Sequence, residues 1–438
     1  MIYRRNFLRG LFALGLLPAV KVTSLDSSST VVTDSEKIPG WPDADDKHYW
    51  EKIRRQFSIP SDEVYFNTGT LGASPRQVTA AMIAETLNLE KTIAHYDYKP
   101  EHPEYIAGYR PQAELRRKAG TVINASEHEV ALVQNATMAS NLIANGLELK
   151  PGDEVLITDQ EHPGARGPWE LRAKRQGIIV RQLPIPIPTP DPESVIKIVA
   201  DAITPRTRVI AVPHVTSKYC IVLPVREICE LARKHDIFTL VDGAQAAGQL
   251  RVDVKQIGCD AYATSPHKWL FAPPGNGLLY VREEKLKDIW ATLASAQWNN
   301  YAPADGIFRL MQFGTANFAL LTGLNAALDF HLRIGSERIE KRIIGLADQL
   351  RVGLQKIKGA TIHSPTHPAL AGAMVNYGIT GVTGPQLQEA LWTRQKIRVR
   401  AQGQEGVRQS VHVYNSPREI DATLAVVQAL AANPPKPA

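Results

Sequence analysis

Residues 238–245 read Phe-Thr-Leu-Val-Asp-Gly-Ala-Gln. A short run of apolar and β-branched residues reaches Asp242 without interruption, and Gly243 follows at once. Such a run predicts a buried strand, and the polar residue and glycine after it predict a turn at its carboxyl end. The stretch therefore places a carboxylate where a parallel sheet presents side chains to ligands.

Short runs of the same kind recur before and after this stretch. They lie at residues 155–158, 178–181, 209–212, 261–264 and 278–281. Segments with helical spacing or long connections separate them, which is typical of a mostly parallel sheet covered by helices on both faces. We therefore expect an α/β fold whose ligands bind at the carboxyl ends of the strands.

The C-terminal part of the chain changes character from about Gly323. Helical spacing covers residues 324–333 and 337–356, and short strand-like runs follow at residues 373–377 and 410–413. Helices followed by a few short strands predict a smaller C-terminal α+β domain.

The composition is that of a folded, globular protein. The 438 residues are 44% hydrophobic and 21% charged, which provides enough apolar surface for a sizeable core and two domains. The net charge of +6 comes largely from residues 1–24, which carry four basic residues and no acidic one. The remainder carries 46 basic and 44 acidic residues, and this near balance gives no electrostatic case for nucleic-acid binding.

The N-terminus resembles a twin-arginine export signal. Residues 3–9 read Tyr-Arg-Arg-Asn-Phe-Leu-Arg, and an apolar run from Leu11 to Val20 follows. These ten apolar positions fall short of the roughly 20 residues that a spanning helix needs, so we expect no stable membrane span. We expect export to the periplasm instead.

The three cysteines do not form the pattern of a disulfide scaffold or a metal site. Cys220, Cys229 and Cys259 are odd in number, lack CxxC spacing and lie in partly apolar stretches. We expect them to be buried free thiols, and we expect no bound metal.

Lys268 ends the stretch Ser-Pro-His-Lys at residues 265–268. A lysine amine can condense with an aldehyde cofactor, and a carboxylate such as Asp242 can keep the ring nitrogen of that cofactor protonated. Each residue alone has an ordinary alternative, because most lysines are solvated and most strand-end aspartates belong to turns or caps.

Together, Val-Asp-Gly-Ala-Gln at residues 241–245 and Ser-Pro-His-Lys at residues 265–268 resemble the class V aminotransferases, in the branch of isopenicillin-N epimerase-like proteins. The resemblance spans about residues 64–430. It implies a fold-type I enzyme that depends on pyridoxal 5'-phosphate (PLP) and has a mostly parallel seven-stranded sheet. The implied organisation is a signal (residues 1–24), a linker (25–45), a large PLP-binding domain (46–315), a smaller C-terminal domain (316–432) and a Pro-rich tail (433–438).

The resemblance also implies roles for the residues near the cofactor ring. By it, Asp242 pairs with the ring nitrogen, Ala244 packs on the ring and Gln245 hydrogen-bonds the phenolic oxygen. Lys268 forms a Schiff base with the cofactor and transfers protons. His162 matches the position that stacks on the ring, and the alternative is an ordinary loop histidine.

The cofactor phosphate needs backbone donors and hydroxyls. Asn-Ala-Thr-Met at residues 135–138 opens a predicted helix, whose N-terminus attracts anions, although Asn135 or Thr137 alone is equally typical of a helix cap. The resemblance implies that the phosphate contacts Ala136, Thr137, Met138, Ser265, His267 and, from a second subunit, Thr315. We therefore expect a homodimer with shared active sites.

Arginines are the candidates for binding a substrate carboxylate, since a guanidinium can bind it with two hydrogen bonds. Arg408 matches the family's carboxylate-binding arginine and Arg400 is a second candidate, with a surface salt bridge as the alternative for each. Asn67 is a further candidate for the substrate site. Loop residues that either line the pocket or simply pack are Asn67, Tyr96, Tyr109 and Trp298.

The absence of one cysteine reduces the number of reactions that the resemblance allows. Desulfurases of the family carry a nucleophilic cysteine in the loop after the position of Arg400, whereas residues 401–407 here read Ala-Gln-Gly-Gln-Glu-Gly-Val. Without that thiol we expect no cysteine desulfuration. We expect transaminase-type chemistry at the α-carbon of an amino acid or aminoacyl metabolite, with epimerisation or C–S/β-elimination as alternatives. Exported members resemble periplasmic enzymes that tailor siderophores of the pyoverdine type.

Two other classes of protein fit less well. A dinucleotide-dependent oxidoreductase would share the parallel sheet, but no Gly-x-Gly-x-x-Gly follows an early strand. A binding protein that had lost catalysis would be expected to lose Lys268 or Asp242, and both are present.

Overall fold

The structure is a computed structural model that describes residues 41–95, 112–295, 298–299 and 306–435. These residues belong to one compact unit. Several sequence-based expectations lie outside them, namely the signal at residues 1–24, most of the linker at 25–45, Tyr96, Tyr109 and the end of the tail.

The strands and helices follow the expected alternation over the first part of the chain. The strands are β1 (Val64–Tyr65), β2 (Val130–Val133), β3 (Glu154–Thr158), β4 (Ile179–Leu183), β5 (Thr207–Pro213), β6 (Phe238–Asp242), β7 (Ala261–Thr264), β8 (Gly277–Val281), β9 (Ala360–Ile362), β10 (Met374–Ile379), β11 (Ile397–Arg398), β12 (Arg400–Ala401) and β13 (Val407–Ser410). The helices are α1 (Tyr49–Arg54), α2 (Arg76–Thr92), α3 (Ala113–Ile123), α4 (Ala136–Gly146), α5 (Pro163–Gln176), α6 (Pro192–Ala202), α7 (Val225–Lys234), α8 (Val254–Ile257), α9 (Phe318–Ile334), α10 (Ser336–Gln355), α11 (Gly384–Gln395) and α12 (Pro417–Ala432).

A seven-stranded sheet forms the centre of the molecule, in the order β2, β8, β7, β6, β5, β3, β4. Neighbouring strands are parallel except in the two pairs that include β8. Every residue of β6, β7 and β8 is buried, which explains their uninterrupted apolar runs, while the edge strand β4 is partly exposed. The expected α/β fold with a mostly parallel seven-stranded sheet is confirmed.

A second hydrophobic cluster lies among α10, α11, α12 and an antiparallel sheet with the strand order β12, β13, β10, β9. Phe66, which is fully buried, belongs to this cluster although it lies early in the chain, and β1 pairs in parallel with β11. The domain boundary near residue 315 stays a prediction.

The strand expected at residues 410–413 lies earlier in the chain than predicted. The strand is β13 and it ends at Ser410. Beyond it, His412 donates its backbone N–H to Asn415 Oδ1 at 2.8 Å, and Val413 donates its own to His412 Nδ1 at 2.7 Å. Val411 still donates its backbone N–H to the carbonyl of Ala373 at 3.0 Å, but the next two backbone hydrogens go to side chains, so the backbone pairing ends there.

Among the described residues, none of the helices has the length and apolar character needed to cross a membrane.

Candidate active site

A cavity of about 490 Å³ opens where the loops after β3, β6 and β7 meet. Its size is that of an ordinary small-molecule site. The sequence-predicted residues that line it are Ala136, Thr137, His162, Asp242, Ala244, Gln245, Ser265, His267, Lys268, Arg400 and Arg408. Tertiary structure thus gathers the two arginines, which come late in the chain, with the residues at the strand ends.

Four predicted residues lie away from the lining of this cavity. Met138 donates its backbone N–H to the capping side chain of Asn135 at 2.9 Å. Asn67 Oδ1 accepts a hydrogen bond from Thr70 Oγ1 at 2.8 Å, so it supports a lining residue from outside. Trp298 borders a different surface cleft. The contact expected from Thr315 is to a second subunit and stays a prediction.

Lys268 and Asp242 share the cavity, as the two motifs together predict. Burial of the amine, with positive charge from Arg408 and Arg400 as lesser causes, lowers the pKa of Lys268 to about 8, while Asp242 opposes the shift. Asp242 is held in place because its Oδ1 accepts the Ala244 N–H at 2.9 Å. A sizeable fraction of Lys268 is therefore neutral near pH 8, as a nucleophile and proton acceptor requires.

Gly72 allows a loop to pass directly behind the lysine. Its N–H donates to the carbonyl of His267 at 2.8 Å. A Cβ at this position would lie 1.9 Å from the carbonyl oxygen of Lys268. Only glycine permits this close approach of two backbones.

The start of α4 forms another side of the cavity. Asn135 caps the helix, and Ala136 donates its N–H to Ser265 Oγ at 3.0 Å, which ties the helix to the loop after β7. Thr137 faces the start of α5, where a Cβ on Gly164 would lie 2.2 Å from its hydroxyl oxygen. Hydroxyls and a helix N-terminus are thereby collected at one place, which suits an anion.

His162 caps α5 with its ring. Its Nδ1 accepts the Gly164 N–H at 3.1 Å, so the proton of the neutral ring lies on Nε2. Burial lowers the pKa of His162, and the positive charge of Lys268 acts in the same direction. The ring is accordingly neutral at physiological pH, and its exposed face borders the cavity.

Glu161, next to it, was missed by sequence reasoning. Its Oε1 accepts hydrogen bonds from the backbone N–H of Thr158 at 3.2 Å and from its hydroxyl at 2.8 Å. Burial of the carboxyl group raises the pKa of Glu161 to about 8, and the negative charge of Asp242 adds to this. Glu161 is thus mostly a neutral acid at pH 7, and a glutamate in a turn gives no sequence signal of this.

Arg408 and Arg400 converge on one hydroxyl. Thr70 Oγ1 accepts from Arg408 Nη2 at 2.8 Å and from Arg400 Nη1 at 3.1 Å. Arg408 also donates to the carbonyl of Ser217 at 2.8 Å. Burial lowers the pKa of Arg408 to about 10, with Arg400 adding to the effect, and its Nε has no partner among the described residues.

Neither arginine forms an ion pair with a carboxylate within the part of the chain that the structure describes. The surface salt bridge, which was the alternative interpretation for each arginine, is therefore absent from the described part of the chain. Two unneutralised guanidinium groups at a cavity wall suit an anionic group of a ligand. Thr70, which brings them together, carried no signal in the sequence because threonines are common in loops.

The residues of the cavity fit PLP. The fit rests on the amine of Lys268 beside the carboxylate of Asp242, and on the buried Nδ1 of His267, which has no hydrogen-bond partner among the described residues. Such an unpaired polar atom is costly unless a ligand satisfies it. Thr137, Ser265 and His267 would hold the phosphate.

The family model for Aminotransferase class-V matches residues 65–426. The chain belongs to this family. Isopenicillin N epimerase from Streptomyces clavuligerus is 30% identical over 399 residues, 87% of this chain and 98% of that protein. A probable cysteine desulfurase from Xylella fastidiosa strain 9a5c is 31% identical over 361 residues, 78% of this chain and 83% of that protein.

Solved structures give the same family and fold. A variant of C-DES with glycine covalently linked to its PLP cofactor superposes with a TM-score of 0.74 at 26% identity, over 86% of this chain and 98% of the other. The apo cysteine desulfurase from Thermococcus onnurineus NA1 gives 0.75 at 25% identity, over 87% and 98%. With the family match, they establish this protein as a PLP-dependent class V enzyme.

The residues of the cavity are suited to different chemical roles. PLP, when bound, supplies an electron sink for bonds at the carbon that bears the substrate amine. Lys268 can accept or donate a proton at its amine because its pKa lies near pH 8. The Arg408 guanidinium is positioned to bind a carboxylate, and the capping hydrogen bond fixes the ring of His162.

Proposed function

We propose that this enzyme acts in the periplasm at the α-carbon of an amino acid or aminoacyl metabolite by transaminase-type chemistry. The observation that carries the proposal is that one cavity holds a lysine with lowered pKa beside an aspartate at one side and, at the other, two arginines for which the described residues provide no acidic partner. The first side suits amine chemistry, and the second suits the carboxylate of an amino acid.

A test of the reaction starts from the purified full chain with PLP. Single amino acids are added, and the change of the cofactor's visible absorption identifies those that bind. Transamination predicts stoichiometric formation of an oxo acid and turnover only when a second oxo acid is supplied. Oxo acid formation by Lys268→Ala protein at the wild-type rate would contradict the proposal.

Epimerisation is the second candidate, supported by the similarity to isopenicillin N epimerase. It predicts exchange of the α-hydrogen with deuterium from D₂O and loss of optical purity without an oxo acid product. β-Elimination at a C–S bond predicts pyruvate and a sulfur product from cystine or cysteine, and one related structure is described as a cystine C–S lyase. Measuring all products from one incubation separates the three reactions.

We propose further that cysteine desulfuration is not the reaction, although relatives named as desulfurases are among the similar proteins. Residues 401–407 contain no cysteine. Burial raises the pKa of Cys220 and of Cys229 to about 12 and raises that of Cys259 well above its ordinary value, and none of the three lines the cavity. Thiols of this kind are poor nucleophiles. Persulfide on any of them after incubation with cysteine would contradict this proposal.

Export by the twin-arginine pathway is supported by Arg4 and Arg5 before the apolar run. This pathway carries folded proteins, so the enzyme could bind PLP in the cytoplasm before it crosses the membrane. Replacing both arginines with lysine and fractionating the cells tests the point. Unchanged recovery in the periplasm would contradict it.

Tailoring of a pyoverdine-type siderophore is the role we propose for an exported enzyme of this kind. Deleting the gene should leave precursor siderophores in the periplasm that lack one modification, as mass spectrometry would detect. An unchanged set of siderophores would count against this role but not against the proposed chemistry.

We also propose a homodimer with shared sites, in which Thr315 of one subunit approaches the phosphate of the other. Light scattering of the PLP-loaded protein should give twice the chain mass. Mixing Lys268→Ala subunits with Thr315→Ala subunits should then restore one intact site per mixed dimer. A monomeric, fully loaded enzyme would exclude the shared site.

A further inference from the structure

We propose that Trp269 is a positioning residue that fixes the amide of Gln245, so that the amide presents an N–H and not its oxygen to the cofactor. The inference depends on Gln245 facing PLP, as the lining of the cavity supports. It does not depend on which reaction the enzyme catalyses.

The contacts of Gln245 leave its amide a single orientation. Trp269 donates its indole N–H to Gln245 Oε1 at 2.9 Å, and Gln245 Nε2 donates to the carbonyl of Gly69 at 2.8 Å. An indole N–H can only donate and a carbonyl can only accept, so exchanging the two ends of the amide would break both hydrogen bonds. The chemistry of the two partners therefore fixes which end of the amide faces Trp269 and which faces Gly69.

The two ends of the amide face different surroundings. Trp269 is fully buried, so the oxygen of Gln245 points to the core. Gly69 lines the cavity, so the nitrogen lies at the cavity wall. An amide nitrogen carries two hydrogens, and the bond to Gly69 uses one. The second N–H is available to an acceptor in the cavity.

The backbone of Gln245 is held independently of Trp269. Gln249 donates its side-chain N–H to the carbonyl of Gln245 at 2.6 Å and accepts the Ala373 N–H at 2.7 Å. Removing the indole N–H should therefore leave Gln245 in the cavity wall, with only the hydrogen bond to Gly69 to orient its amide. The amide can then rotate away from the orientation in which it donates to the cavity. Trp269 directly follows Lys268 in the chain, so the residue that fixes the amide is also adjacent to the cofactor lysine.

A fixed N–H donor should influence the bound cofactor measurably. Such a donor stabilises negative charge on the phenolic oxygen of PLP, most of all when the nitrogen joining Lys268 to the cofactor has lost its proton. Losing the donor should then favour the protonated form. The pH midpoint of the visible absorption change should move upward.

The experiment is a pH titration of the visible spectrum of the PLP-loaded full chain. Trp269→Phe should raise the midpoint by about one pH unit, which corresponds to the loss of one hydrogen bond to a charged group. Trp169→Phe is the matched control, because Trp169 is equally buried but its Nε1 has no hydrogen-bond partner among the described residues. Its midpoint should equal that of the wild type.

A double variant tests whether Trp269 acts through Gln245. In the Gln245→Leu background, Trp269→Phe should cause no further shift. An unchanged midpoint in Trp269→Phe, or an equal shift in Trp169→Phe, would overturn the inference. If Trp269→Phe does not fold, Trp269→His and Trp269→Leu replace it, since their side chains are of similar size and only histidine keeps a ring N–H. Equal midpoints in that pair would overturn the inference as well.

Discussion

Two walls of the cavity differ in how the chain builds them. The cofactor wall consists of Asn135, Ala136, Thr137, Asp242, Ala244, Gln245, Ser265, His267 and Lys268. The arginine wall consists of Gly69, Thr70, Arg400, Gln402 and Arg408. Much of the cofactor wall follows adjacent strands of one sheet, β6 and β7, whereas the arginine wall joins segments that lie far apart in the chain. The proposed cofactor site therefore depends on a local, repeated pattern, and the proposed substrate site depends on tertiary packing.

The two walls also differ in charge, and the charge of one wall affects the pKa of a residue in the other. The cofactor wall pairs Lys268 with Asp242, while the arginine wall carries two cations that converge on Thr70. Burial is the main cause of the lowered pKa of Lys268, but both arginines contribute in the same direction. An anionic ligand at the arginine wall would reduce this contribution and make Lys268 a stronger base.

Removing Lys268 should have the largest effect on activity, because it removes the amine that we expect to form the linkage to PLP. We expect Lys268→Ala to lose the linkage to PLP that borohydride can reduce, and to lose about 10³-fold or more in activity, as expected for a group that transfers the proton. Mass spectrometry after reduction measures the linkage. Lys218→Ala, an exposed lysine paired with Glu405, is the control and should behave as the wild type. A reducible linkage in Lys268→Ala protein would contradict the assignment.

Replacing Arg408 should act mainly on the arginine wall and leave PLP bound, while the lost positive charge should raise the pKa of Lys268. We expect Arg408→Gln to raise the KM for an amino acid substrate about 10- to 100-fold, the loss expected for a hydrogen bond to a charged group. No described carboxylate pairs with Arg408, so the change leaves no buried acid without a partner. Steady-state kinetics and the cofactor spectrum are the measurements.

Arg398→Gln is the matched control for Arg408. Arg398 lies in β11, which pairs with β1, and its guanidinium stacks over the ring of Trp392 instead of lining the cavity. Its loss should leave the KM unchanged. An equal rise of KM in both variants would mean that general positive charge, and not the arginine wall, attracts the substrate.

Thr70→Val should have a smaller effect of the same kind. Valine has the shape of threonine but cannot accept from Arg408 and Arg400, so the two guanidinium groups lose their common partner. We expect KM to rise about 3- to 10-fold, the loss of one ordinary hydrogen bond. Thr70→Ser keeps the hydroxyl and should stay near the wild type. If both variants behaved alike, the hydroxyl would have no role.

Glu161→Gln should change how the stability of the protein depends on pH. Burial raises the pKa of Glu161 to about 8 from an ordinary value of 4.5. Between these values the unfolded chain loses the proton and the folded chain keeps it, so stability falls as the pH rises toward 8. Glutamine still accepts from Thr158 but does not titrate.

We therefore expect the wild type to lose on the order of 3 kcal/mol more than Glu161→Gln between pH 5 and pH 8. Urea unfolding at the two pH values measures the difference. Parallel pH dependence of the two proteins would mean that Glu161 ionises normally in the folded state.

The sequence was most informative where buried strands end at functional residues. Asp242 lies at the end of β6, as its apolar run predicts, and Lys268 follows β7 in the same cavity. The sequence was least informative where a side chain, and not a backbone carbonyl, accepts a backbone N–H. The strand expected at residues 410–413 ends at Ser410, and backbone pairing stops after Val411 because the side chains of Asn415 and His412 accept the two backbone hydrogens that follow. Hydrophobic pattern alone does not reveal such bonds.

The sequence by itself determined the sheet, the cofactor class and the Lys268–Asp242 pair, because strand burial and short motifs are local properties of the chain. Only the tertiary structure decided which arginines meet at Thr70, that Glu161 is a neutral acid and that Trp269 fixes the amide of Gln245. Those features depend on desolvation and on hydrogen bonds between distant segments. Both arise when the chain folds.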